Sequence, residues 1–104
     1  MRIPHSPLLV AVALAVAAPA SGQAPDAARA RDIASTCANC HGTGGLSRGG
    51  TESLAGKPQA ELVTKFQEFK QGKRPGTIMP QIARGFTDEQ IDLVSAWLAA
   101  QPTR

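Results

Sequence analysis

The chain has 104 residues, with eleven Lys and Arg against eight Asp and Glu, and a formal charge of +3. Its basic residues form no dense block and are not interleaved with aromatics, which argues against a general nucleic-acid or anionic-membrane binder. The length permits one small domain with a limited core of its own.

Residues 1–20 read as a secretory signal peptide. Arg2 and His5 form a short basic start, and Leu8 to Ala18 is an unbroken apolar run of eleven residues, too short to span a bilayer. Small residues Ala18 and Ala20 at the −3 and −1 positions predict cleavage after Ala20, and Ala20-Ser21-Gly22 offers a second site after Gly22. The first site leaves 84 of the 104 residues and removes Arg2, which lowers the charge to +2. The expected location is the periplasm, with no stable membrane insertion.

A helix is predicted from Pro25-Asp26, because Ala30, Ile33, Ala34 and Cys37 fall at i, i+3, i+4 and i+7 on one face. Gly42 to Gly50 holds five of the ten glycines and reads as a surface connection. Leu54 is expected to turn inward after it. Pro58 suits the first position of a middle helix whose stripe is Leu62, Phe66 and Phe69, and Gly72 is placed to end it in a left-handed conformation. In Thr77-Ile78-Met79-Pro80 the proline biases Met79 toward an extended loop. Thr87-Asp88-Glu89-Gln90 is a capping box, with Phe86 and Ile91 at the staple positions, and Pro102 stops the helix it opens. No segment reads as a strand pair, so the class is all-α with three main helices, in one domain over residues 25–101.

Cys37-Ala38-Asn39-Cys40-His41 carries the chemistry. Cys-x-x-Cys-His is the attachment pattern of c-type haem: two thiols add across the haem vinyl groups, and the adjacent histidine becomes an axial iron ligand. The non-haem alternatives are weaker. A structural zinc site wants four ligands, a thioredoxin-like pair wants a βαβ setting, and a disulfide leaves His41 and the broad apolar face unexplained. Removal of the signal takes away His5 and Met1. His41 is then the sole imidazole and Met79 the sole thioether of the mature chain. Met79 is therefore the candidate sixth ligand, with a lysine or an open position as the alternatives. His/Met ligation leaves no coordination site for oxygen or peroxide, so the centre suits one-electron transfer and no catalytic site is expected.

Cys37 to Gly42, the lone Met79 after the middle helix and the capped last helix resemble a class I cytochrome c from about Pro25 to Ala100. Cys37 to Thr43, Phe69-Lys70-Gln71-Gly72-Lys73, Thr77-Ile78-Met79 and Ile82 to Thr87 are similar to the cytochrome subunits of flavocytochrome c sulfide dehydrogenases, and cytochromes c4 and c553 share part of the pattern. The resemblance implies one covalent haem c on Cys37 and Cys40, His41 as proximal and Met79 as distal ligand, and a close crossing of the first and last helices at Ala30 and Ala34. It also implies a backbone carbonyl near Glu52 as acceptor for His41 Nδ1–H. Relatives often carry proline there, and its rigid support is absent. The implied role is the haem subunit that takes electrons from a flavoprotein dehydrogenase. The alternatives are a freely diffusing cytochrome serving a terminal oxidase or reductase, docking through Lys65, Lys70, Lys73 and Arg74, and a ligand-binding haem sensor.

Overall fold

Small side chains decide where the first helix lies. The computed structural model describes residues 1–4, 12–15 and 25–104. The proposed cleavage sites, His5 and most of the apolar run fall outside the described residues. The helices are α1 (Pro25–Ser35), α2 (Ala38–His41), α3 (Gln59–Lys70), α4 (Met79–Arg84) and α5 (Asp88–Ala99), with a 3₁₀ turn at Thr43–Gly45. No strand occurs among the described residues, and the class is all-α. Ala30 and Ala34 of α1 are buried, and α1 packs on α5, which packs in turn on α3. Ala34, Leu62, Val94 and Leu98 make the central cluster, one or two residues from each of α1, α3 and α5.

The helix ends are closed by local chemistry. Gly72, at φ +74°, follows the end of α3. There the Lys73 amide donates to Glu68 O at 2.8 Å and the Gly72 amide to Phe69 O at 3.2 Å, which is a Schellman closure. At the start of α5, Thr87 Oγ1 accepts from the Gln90 amide at 3.1 Å, and Gln90 Oε1 accepts from the Thr87 amide at 2.9 Å. This reciprocal pair satisfies donors that the first turn leaves without partners. Gln67 and Lys70 of α3 both donate to Asp88, at 2.9 and 3.1 Å. The Gln67 bond, then the Lys70 bond, holds that carboxyl below its ordinary range.

Three expectations need correction. Met79 is not in an extended loop but is the first residue of the short helix α4, with Pro80 in its first turn. Proline is tolerated there because the first-turn amides have no intrahelical acceptor to lose. Pro58 precedes α3 as its cap rather than opening it. The glycine-rich stretch is not wholly a surface connection. Gly45 is buried at φ +77°, where a Cβ would stand 2.7 Å from Leu98 Cδ2. Its carbonyl accepts the amides of Leu54 at 2.7 Å and Ala55 at 3.1 Å. Those bonds bring Leu54 onto the central cluster, as expected.

Thr87→Ala removes the acceptor for the Gln90 amide and is expected to cost about 1 kcal/mol. A thermal melt should show the midpoint falling by roughly 4–8 °C for a domain of this size.

Candidate functional site

The cysteine motif sits where α1 ends and the chain turns into α2. The amides of Cys40 and His41 donate to Cys37 O at 3.3 and 2.9 Å. One tight turn therefore holds the three side chains together. Cys37 is half-buried against the central cluster and Cys40 is exposed. Burial pushes the Cys37 thiol up, with a hydrogen bond from Thr36 acting in the opposite sense. A raised thiol is the reverse of what a thiol-exchange centre needs.

Gly42 ends the turn at φ +84°, ψ +159°, a region open essentially to glycine alone. A Cβ there would collide with the Leu46 carbonyl oxygen. This backbone lets the chain reverse directly after His41. His41 Nδ1 donates to Glu52 O at 2.6 Å. A carbonyl only accepts, so Nδ1 carries a proton, which leaves Nε2 as the nitrogen available to a metal. Glu52 itself is held from two sides, by Lys57 and Lys65 at 2.9 Å each. The Lys65 bond, then the Lys57 bond, lowers its carboxyl to about 2.

These elements enclose a cavity of about 420 Å³. Cys37, Cys40 and His41 line it together with Leu62, Phe66 and Phe69 of α3, Met79 and Ile82 of α4, and Ser95 and Leu98 of α5. The volume lies in the range of cofactor pockets. Phe66 is braced edge-on by Phe86, with centroids 5.5 Å apart and planes at 77°. Gly76 lets the segment before Met79 lie close to α3, since a Cβ would stand 3.1 Å from both Phe69 Cε1 and Pro80 Cδ. All four residues singled out by sequence, Cys37, Cys40, His41 and Met79, thus line one cavity.

The donor set fits a haem: an apolar pocket, two thiols in attachment spacing, an imidazole in the metal-binding tautomer, and a thioether. Ser95 adds a further polar point. Its Oγ is buried without a hydrogen-bond partner and lies on the cavity wall. Sequence reading passed over it, although a serine at i+4 in the stripe Ile91, Val94, Ser95, Leu98 is the signal that marks it. The cationic patch anticipated at the end of α3 is largely neutralised. Lys65 pairs with Glu52 and Glu61, Lys70 with Asp88, and Arg74 with Glu68. Of the four, Lys73 makes no ion pair among the described residues.

An all-α shell around such a cavity, with Cys-x-x-Cys-His on its wall, defines a haem-holding electron carrier of the cytochrome c class. The chain belongs to the family described as cytochrome c oxidase, cbb3-type, subunit III, whose pattern matches residues 24–98. It is 36% identical over 69 residues to the cytochrome subunit of sulfide dehydrogenase of Chlorobaculum tepidum, covering 66% of this chain and 63% of that protein. It is 36% identical over 75 residues to a thiosulfate dehydrogenase electron acceptor of Stutzerimonas stutzeri, covering 70% of this chain and 35% of that protein. A cytochrome c-552 of Acidithiobacillus ferridurans is 34% identical over 64 residues, covering 62% and 28%. The chain thus spans less than two thirds of each of these relatives.

Gly42→Ala forces a side chain into a glycine-only conformation against the Leu46 carbonyl. It is expected to cost at least about 2 kcal/mol, measured as a lower urea midpoint at unchanged slope.

Proposed function

We propose that the chain left after removal of a signal at residue 20 or 22, with its domain over residues 25–101, is a periplasmic one-electron carrier with a single covalent haem c. Cys37 and Cys40 carry the thioether bonds, and His41 and Met79 are the axial ligands. The observation that carries this is the placement of an Nδ1-protonated His41 and the sole mature methionine, Met79, on the wall of one apolar cavity. The haem supplies reversible one-electron redox chemistry. The protein supplies the rest. Cys37 and Cys40 fix the group to the α1–α2 corner, and the Glu52 carbonyl orients His41. The faces of α3 and α5 exclude water, which preserves the strength of each polar contact inside. Met79, a soft donor, favours the reduced state and raises the potential. Among the described residues no helix is long and apolar enough to cross a membrane.

The specific role proposed is the haem subunit of a flavoprotein sulfide dehydrogenase, supported by the likeness to the Chlorobaculum tepidum subunit. A second role, a freely diffusing cytochrome that serves a terminal oxidase or reductase, draws support from the family description, which names an oxidase subunit. The ion pairing of Lys65, Lys70 and Arg74 leaves little net positive field at this end of α3 to steer a diffusional encounter.

Met79→Ala opens the sixth position. The reduced variant should bind carbon monoxide at neutral pH and show a lower potential, whereas the unaltered protein should not bind it. Carbon monoxide binding by the unaltered protein would instead mark a ligand sensor. Native purification should bring down a flavin-containing partner in a complex that resists salt. A salt-sensitive association with an oxidase or reductase, and no flavoprotein, would transfer the role to the diffusible carrier.

A further inference from the structure

Glu52 meets the site twice, once through its backbone and once through its side chain. Its carbonyl accepts the His41 Nδ1–H bond, and its carboxylate accepts from Lys57 and Lys65 at 2.9 Å each. Lys65 rises from the middle of α3 and is itself held by Glu61, one turn earlier, at 3.2 Å. Glu52 and Lys65 both stand on the cavity wall.

Before Glu52 the bonds within residues 47–51 are local, with Ser47 Oγ donating to the Gly49 carbonyl at 3.2 Å and accepting the Gly49 amide at 3.3 Å, whereas after it the backbone is tied across the fold. Ser53 Oγ accepts the Ser47 amide at 2.8 Å, and the Leu54 and Ala55 amides bond to Gly45. On the other side, Arg48, Gly49, Gly50 and Thr51 are exposed, and glycines there cost entropy to order. The carbonyl that orients His41 therefore lies at the boundary between an anchored and an exposed stretch. Nothing in its own φ is locked, because the residue is glutamate and not proline. What ties this residue to a helix is its side chain.

We propose that the Glu52 side chain is a positioning group for the axial histidine: gripped by Lys57 and by the Lys65–Glu61 pair of α3, it clamps the carbonyl that holds His41 Nδ1–H. This rests on the assignment of His41 as a ligand and extends it to a specific means of support. The clamp couples the histidine to α3, the helix that also supplies Leu62, Phe66 and Phe69 to the cavity. Partners in the shell around a metal ligand set its orientation and basicity. Loosening the clamp therefore lets the Nδ1–H bond open more often and makes Nε2 a weaker donor.

The test uses the haem-loaded protein and its variants Glu52→Gln, Lys65→Gln and Lys65→Arg. The readouts are the solvent-exchange rate of the His41 Nδ1 proton by NMR, the reduction potential, and the optical spectrum. The clamp requires faster exchange, on the order of tenfold, in both Glu52→Gln and Lys65→Gln, with Lys65→Arg close to the unaltered protein. The amides of Leu62 and Val94 should exchange as before. A role of charge alone predicts something different: potentials displaced in opposite directions by the two neutralising variants and an unmoved Nδ1 proton. That result, or an equal acceleration of the core amides, overturns the clamp and leaves the ligand assignment standing. An unaltered protein without a histidine-ligated low-spin spectrum overturns the assignment, and the clamp with it.

Discussion

The meeting of α1, α3 and α5 at Ala34, Leu62, Val94 and Leu98 is the constraint on which the rest of the molecule depends. The helix crossing is close because Ala30 and Ala34 carry almost no side chain, and it brings the two ends of the domain together. The buried apolar set of the described residues is small: Ala30, Ala34, Ala55, Leu62, Ala83, Ile91, Val94 and Leu98. Half of it is alanine, and alanine has little apolar area to withdraw from water. A domain of this size needs more than that core to hold together. The larger apolar side chains, Phe66, Phe69, Met79 and Ile82, are spent on lining a cavity rather than filling it. The architecture is thus built to have its centre completed by a cofactor, and the cofactor that fits the wall chemistry is the one the cysteine motif attaches.

The same economy appears in the polar groups. Three cations on α3 and just after it are answered by acids: Lys65 by Glu52 and Glu61, Lys70 by Asp88, Arg74 by Glu68. Arg74 also lies over the Phe69 ring at 5.7 Å. Such half-exposed pairs contribute little to global stability. Their positions give them another use, because they connect the loop at Glu52 and the start of α5 to α3. The cations serve internal geometry more than an external field, and this shapes how a redox partner would approach.

Some of this was legible in the residues alone because it is local. The haem motif spans five consecutive positions, and its meaning follows from thiol, imidazole and iron chemistry. The α5 capping box and the Gly72 closure are each written within four to six residues, and the hydrogen bonds at both appear as expected. The candidate ligands followed from scarcity, since removal of the expected signal would leave one histidine and one methionine. Helix α4 was missed because Pro80 was weighed as a breaker, while its position in a first turn removes the penalty. The burial of Gly45 was missed because a glycine-rich stretch has no periodicity to show which glycine faces inward.

By itself, then, the sequence determined the helix boundaries set by caps, the all-α class, the attachment chemistry and the short roster of possible ligands. Each of these depends on neighbours along the chain or on a count of residue types. The tertiary structure alone decided that Gly45 sits under Leu98, that Ser95 faces the cavity without a partner, that the lysines of α3 are paired, and that the carbonyl meeting His41 belongs to a glutamate held by one of them, Lys65, and by Lys57. Those facts join residues that are distant in sequence, such as His41 with Glu52 and Glu52 with Lys65. Only the packing of α1, α3 and α5 brings them within reach, because hydrogen bonds and ion pairs act over a few ångströms and the chain carries no local mark of what the fold will set beside it.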